Sequence, residues 1–500
     1  MTTPSDQPAS GRAVLFRPVR LDRPVTTSMA TRGLLGLMGT GSQGALRFLS
    51  NALVGRLAGP AVLGAFQGAI SLAMLLSLLW PTTTGSAAAK FLARARGAQD
   101  PEQARAVAAH LSRRTVQAGL LLGVAAAPLW WFTSGEDVSV PGALCVVLLV
   151  LGYSGYAFSR GVQYGVGEVW RGTVWDVMTS SLGLVATGIA LAAGVRGPAL
   201  LLPLACTYGL YTFAGWPHGS RGTLDRDLRR EIDSFVALGA AGSIASAGFL
   251  QLSMLVVKAV SDKAEAGHYA AAMTLATPAS LLAGSLSLVL FPSMAEAWGR
   301  ADVEGFRRQT DQATRALFVT MVAVFGTLAL CGRLVVALIW GSAYVETGRL
   351  LPVLLAAVLA TTLGVASVNA ITTGERRGML LTTLASLAGM LVGVVAWLLL
   401  VPSMGPMGVA LGYLAGTTII AGVPFVATWR RYGHEWAGLV LRLLVAVVAV
   451  GAACVVGWQQ QWGAVAQLGT AVLFLAAWLV AGRGEVRTLV GGRLQRLRRR

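Results

Sequence analysis

GAFQGAISLAMLLSLL (64–79) lies over GHYAAAMTLATPASLL (267–282) without a gap at a shift of 203 residues. Gly64, Ala69, Leu72, Ala73, Ser77, Leu78 and Leu79 meet identical residues, while Phe66 meets Tyr269 and Ser71 meets Thr274. The same shift pairs Leu35, Gly36, Gly39, Leu49 and Ser50 with Leu238, Gly239, Gly242, Leu252 and Ser253. Downstream, Asp100-x-Glu102-x-x-Arg105 returns as Asp302-x-Glu304-x-x-Arg307 at a shift of 202, and Gly167-Glu168…Arg171-Gly172 returns as Gly374-Glu375…Arg377-Gly378. Likeness between two apolar helices says little alone. Loops that echo in the same order mark a duplicated unit.

The surroundings of the repeat are those of a membrane protein. Over 500 residues, 55% are hydrophobic and 12% charged, against about 25% charged in soluble domains. Mean hydropathy is +0.65. Apolar runs long enough to cross a hydrocarbon core of about 30 Å recur along the whole length. They predict spans at 33–55, 62–85, 116–134, 142–160, 173–194, 198–216, 235–257, 269–291, 316–338, 350–372, 379–401, 407–428, 438–458 and 464–482. The expected fold is therefore all-α integral membrane with about 14 transmembrane helices. The echoes pair span one with seven, two with eight, and the loop after four with the loop after ten. Six is even, so the halves are parallel repeats, and two such lobes facing each other enclose a central cavity.

The domain plan follows: a disordered cytoplasmic tail at 1–32, an N-lobe of six spans at 33–216, a cytoplasmic linker at 217–234, a C-lobe at 235–428, two appended spans at 438–482 and a basic cytoplasmic tail at 483–500. Residues 100–114 and 302–314, with acids first and bases later, read as interfacial helices whose charges suit the helix dipole.

The net charge of +18 does not imply nucleic acid, because the basic residues form short clusters between apolar runs with no stripe of interleaved aromatics. Their partners are anionic membrane lipids. With the N-terminus inside, about 32 of the 40 Lys and Arg face the cytoplasm, Arg47 and Arg442 lie within spans, and Arg56, Arg196, Lys258, Lys263, Arg333 and Arg349 are outside. Both termini are then cytoplasmic. Cys145, Cys206, Cys331 and Cys454, and the four histidines, show no metal-ligand spacing, so neither metal nor cofactor is expected.

An ionisable side chain within a span is costly and is a functional candidate. Arg47 is the foremost, because Gln43, Arg47, Ser50 and Asn51 fall on one helical face at i, i+4, i+7 and i+8. A polar face with a cation at its centre is expected to line the lumen and bind an anionic group. Asp176 is the one acid inside a predicted span, near the cytoplasmic end of the fifth, and is the candidate for ion coupling. Lys258, Arg333 and Arg442 lie near span ends, where snorkelling accounts for them. Gly39-Thr-Gly41-Ser-Gln-Gly44 matches G-x-G-x-x-G, but no strand precedes it, so it reads as close helix packing and not as a dinucleotide site.

NALVGRLAGPAVLGAFQGAISLAMLLSLLWPTTTGSAAAKFLARARG (51–97) resembles the opening of Wzx-type polysaccharide flippases of the multidrug/oligosaccharidyl-lipid/polysaccharide exporter (MOP) superfamily. The matching positions are Gly59, Pro60, Gly64, Phe66 and the basic loop Lys90–Arg96, with the short loop at 374–378 also typical. The resemblance implies alternating-access flipping of an undecaprenyl-pyrophosphate-linked oligosaccharide across the bacterial cytoplasmic membrane, with Arg47 as the phosphate-binding residue type and no enzymatic step. It also implies glycosyltransferases and a polymerase of the same pathway as partners. Related lipid II flippases carry several arginines in the first lobe, where Arg47 is the single one read here. The alternatives are a MATE-like drug or metabolite antiporter and a membrane-embedded O-antigen polymerase or ligase, which would need a large outer loop.

The charge distribution generates a direct test. Reporter fusions after residues 97, 224 and 500 should all read cytoplasmic, and one periplasmic signal would break the topology.

Overall fold

The structure is a computed structural model that describes residues 29–134, 139–278, 302–374 and 376–485, together with Val19, Met294, Ala297, Trp298 and Arg300. In lipid, each backbone polar group must be satisfied within its own segment, and helices do this locally. The described residues accordingly form helices and no strands. In chain order these are α1 (Met29–Ala58), α2 (Pro60–Leu79), α3 (Pro81–Gly97), α4 (Pro101–Ser134), α5 (Val140–Gly165), α6 (Val169–Ala192), α7 (Leu202–Gly215), α8 (Arg226–Ser243), α9 (Phe249–Val260), α10 (Lys263–Ala276), α11 (Val303–Leu330), α12 (Gly332–Trp340), α13 (Thr347–Gly374), α14 (Arg376–Met404), α15 (Pro406–Tyr432), α16 (Ala437–Gln459) and α17 (Ala464–Ala481). A π-helical segment, Ile244–Gly248, joins α8 to α9.

Each of the fourteen expected spans overlaps one or more of these helices, but twelve helices among the described residues are long and apolar enough to cross a membrane. The first expected span is missing from that set because α1, though 30 residues long, carries Gln43, Arg47, Ser50 and Asn51. The eighth is missing because its second half, 279–291, lies outside the described residues. Nearly all of the expected tails, 1–28 and 486–500, likewise lies outside them.

Four local expectations are corrected. Span 62–85 is broken at Trp80, because Pro81 opens a new helix, α3, from its first turn. Span 316–338 divides at Cys331 into α11 and α12. Segments 100–114 and 302–314 are not separate interfacial helices but the first turns of α4 and α11. Their repeated aspartates are N-caps: Asp100 Oδ1 accepts from Gln103 N at 2.8 Å, and Asp302 Oδ1 accepts from Gly305 N at 2.8 Å. Each cap is worth about 1 kcal/mol, which accounts for the return of Asp-x-Glu at both places.

The chain forms two compact units, Met1–Arg47 with Leu72–Ser243, and Phe48–Ser71 with Ile244–Arg500. In the first, Phe91 and Leu92 of α3, Val107 and Leu111 of α4, Phe158 and Val162 of α5, and Ile232 and Val236 of α8 make one buried cluster. Here α3 and α5 approach to backbone contact. A Cβ on Gly161 would sit 2.0 Å from Gly85 O, and one on Gly85 would sit 2.4 Å from Ala157 O.

In the second unit the two copies of the repeat meet. A Cβ on Gly64 of α2 would lie 2.9 Å from Lys263 O, and one on Gly267 of α10 would lie 2.0 Å from Pro60 O. Gly64 and Gly267 are equivalent in the repeat, as are Pro60 and Lys263. The helices α14 and α15 cross likewise, with Gly389 against Gly416 O and Gly393 against Gly412 O. The appended pair is tied to α11, since Trp478 Nε1 donates to Val319 O at 2.9 Å and Trp436 Nε1 to Asp311 Oδ1 at 2.8 Å. Arg442, expected to snorkel, instead pairs with Glu485 and holds its carboxyl below the usual glutamate range.

Gly161→Ala should lower thermal stability by about 1–3 kcal/mol through overpacking. Gly188→Ala, which has open space around it, should be neutral or stabilising. Melting of the purified protein in detergent separates the two, and equal effects would remove the packing argument.

Candidate functional site

Four helices of the first unit converge on a polar cluster. On α5, Tyr153, Tyr156, Arg160 and Tyr164 recur every three or four residues and so share a face. The corresponding stripe on α1 is Gly36, Gly39, Thr40, Gln43 and Arg47. Helix α6 adds Asp176, and α7 adds Tyr208 and Tyr211.

Asp176 is fully buried and lies at the centre. It accepts from Tyr156 OH at 3.0 Å, from Arg160 Nε at 3.0 Å and from Gln43 Nε2 at 3.4 Å. Arg160 Nη2 also donates to Thr40 Oγ1 at 2.7 Å and to Tyr164 OH at 3.0 Å. The carboxylate reaches this place because α1 is bare at Gly39, where a Cβ would lie 2.5 Å from Asp176 Oδ2. The glycine motif thus works as close packing, against a charged side chain.

Arg47 is held differently. Its Nε donates to Tyr208 OH at 3.4 Å and its Nη2 to Tyr153 OH at 3.3 Å. The guanidinium carbon lies 5.3 Å from the centroid of the Tyr153 ring. All these partners are neutral, and among the described residues no carboxylate pairs with Arg47. The tyrosines brace one another, Tyr153 on Tyr208 at 5.3 Å and Tyr156 on Tyr211 at 4.8 Å. Arg160 and Asp176 cancel each other's charge, so the cluster carries one uncompensated positive charge, at Arg47. Arginine presents paired N–H donors matched to carboxylate or phosphate oxygens.

The expected polar face of α1 is divided between the two units. Gln43 and Arg47 belong to the first unit, while Ser50 and Asn51 belong to the second. There Asn51 Nδ2 donates to Gln67 Oε1 and to Thr274 Oγ1, each at 2.8 Å, and Asn51 O accepts from Trp340 Nε1 at 3.4 Å. Ser50 is fully buried, with no hydrogen-bond partner for its hydroxyl. Arg160 is not among the expected site residues, because the apolar run 142–160 puts it at the last residue of its span. Helix α5 runs on to Gly165, so Arg160 lies more than a turn inside, and the spacing of tyrosines around it was the readable signal. The first unit thus places two arginines in this cluster, where one was expected.

The family model described as polysaccharide biosynthesis protein matches residues 33–298, more than half of the chain. The chain belongs to that family. No curated protein matches its sequence. Solved structures give the fold of this polysaccharide biosynthesis protein as that of the MATE transporters of the MOP superfamily. An inward-facing multidrug resistance MATE family transporter matches at a TM-score of 0.67 and 17% identity, over 78% of this chain and 94% of that one. A eukaryotic MATE transporter matches at 0.60 and 16%, over 84% and 98%. A MOP superfamily transporter from Pyrococcus furiosus, whose binding pocket is described as reversed in polarity, matches at 0.58 and 19%, over 83% and 98%.

Asp176→Ala leaves Arg160 without its counter-ion and should destabilise the purified protein by about 3–5 kcal/mol. The double variant Asp176→Ala/Arg160→Met should recover most of that loss. Additive losses in thermal melts would show that the two do not act as a pair.

Proposed function

We propose that this member of the polysaccharide biosynthesis family is a flippase, not an enzyme. It moves a lipid-linked oligosaccharide of the undecaprenyl-pyrophosphate type, or a related anionic envelope precursor, by alternating access across the bacterial cytoplasmic membrane, with both termini inside. The observation that carries the cargo assignment is Arg47, a guanidinium within the apolar part of the chain whose partners among the described residues are tyrosine hydroxyls and no carboxylate. A charge left unpaired at such depth is costly unless a ligand completes it. A pyrophosphate supplies the opposite charge and the acceptor oxygens that paired N–H donors match. Family membership supports the envelope-glycan pathway, whose glycosyltransferases and polymerase would be the partners.

The second reading, a MATE-like drug or metabolite antiporter, draws on the fold and on the buried carboxylate of Asp176. A cation-binding carboxylate must be free to take its cation, and Asp176 is already paired with Arg160 at 3.0 Å. The observation therefore favours an anionic cargo. Coupling by Asp176 would require that pair to open.

Arg47→Glu should abolish export of surface polysaccharide while leaving membrane insertion intact, and Arg47→Lys should retain part of it. In proteoliposomes, the wild-type chain should flip a pyrophosphate-linked oligosaccharide and Arg47→Glu should not. Normal export by Arg47→Glu would end the anion-site assignment.

A further inference from the structure

The second unit contains a cavity of about 570 Å³ lined by α11, α13, α15 and α16, with Phe474 of α17. Its walls are apolar, with Phe325, Leu359, Leu411, Val450 and Phe474 among them, and Arg349 and Trp458 stand at one end. It follows α13 from Arg349 to Leu359 and α16 from Trp458 back to Ala446. At 1.5 Å per residue these stretches are about 15–18 Å long, the depth of one leaflet of a core about 30 Å thick.

The Arg349 end is polar and cationic. The guanidiniums of Arg333 and Arg349 lie 5.4 and 5.6 Å from the centroid of the Trp458 ring. Arg333 Nη2 donates to Gln461 Oε1 at 2.8 Å, while its Nη1 is buried with no hydrogen-bond partner. Arg349 pairs at 3.6 Å with Glu346, and both are more than half exposed. Two arginines against one glutamate leave a positive charge beside Trp458. A snorkelling arginine would reach water with all its donors, and Arg333 does not.

We propose that this groove is a binding site for one anionic glycerophospholipid, with its phosphate on Arg333 and Arg349 and one acyl chain between α16 and the rest of the second unit. Charge complementarity selects an anionic over a zwitterionic headgroup. Groove depth selects an acyl chain that ends at mid-bilayer over the much longer polyprenyl chain of a cargo lipid. The bound lipid fills the groove and fastens α16, most of whose surface is otherwise exposed, to α11, α13 and α15.

The test is native mass spectrometry of the detergent-purified chain after mild delipidation, with thermal shifts on adding phosphatidylglycerol or phosphatidylcholine. The wild-type chain should retain one phospholipid of anionic mass and be stabilised by phosphatidylglycerol more than by phosphatidylcholine. Arg333→Gln/Arg349→Gln should reduce retention by roughly tenfold or more. So should Gly451→Leu, which narrows the groove without changing charge, whereas the exposed Arg377→Gln should have no effect. Equal stabilisation by the two lipids, a polyprenyl phosphate as the retained species, or unchanged retention in Gly451→Leu would each overturn the proposal. None of these readouts depends on whether the chain flips a glycan.

Discussion

The contact between Gly64 and Gly267 constrains much else in this chain. Lipid supplies no hydrophobic force between helices, so association rests on close packing and interhelical hydrogen bonds. Where equivalent residues of a duplicated segment face each other, a side chain on one copy is duplicated on the other, and both must be absent for the backbones to touch. A Cβ at either position would fall within 3 Å of the facing backbone. The same physics recurs at Gly85 with Gly161 and along α14 and α15. Glycine, which weakens a soluble helix, here sets how closely helices pack.

Close packing also makes room for charge. Asp176 lies against the bare backbone of Gly39, within reach of Tyr156, Arg160 and Gln43, so its lone pairs are filled before water is needed. A buried pair of this kind is near neutral in stability when complete and strongly unfavourable when broken. Arg47 is the counterexample a few residues along the same helix. Its tyrosine partners bond it at 3.3–3.4 Å and leave its charge uncancelled, which sets it apart from the Arg160–Asp176 pair.

The architecture was legible in the sequence because apolar length and the echo at 203 residues are one-dimensional signals. The repeated Asp-x-Glu was also readable, though as an interfacial helix; the cap reveals itself only once the helix beyond is seen to continue unbroken. The candidate site was half legible. Arg47, Gln43 and Asp176 stood out as polar residues in apolar runs, but helical periodicity alone put Ser50 and Asn51 with them. Periodicity fixes which residues share a face of α1 and not what meets that face at each height. Arg160 is less legible, because a charge at the end of an apolar run reads as the end of a span, and helix α5 does not stop there.

Helix α1 has a further consequence, for the order in which the molecule is made. It is synthesised before α5, α6 and α7, yet Tyr153, Asp176 and Tyr208, which bond its Gln43 and Arg47, follow more than a hundred residues later. A central arginine alone disfavours insertion by about 2.5–3.5 kcal/mol. At about 5–20 residues per second, several seconds or longer separate the synthesis of α1 from that of α5, α6 and α7. The hydrogen bonds that satisfy Gln43 and Arg47 therefore form only once those later helices exist, so an early helix is completed by late ones.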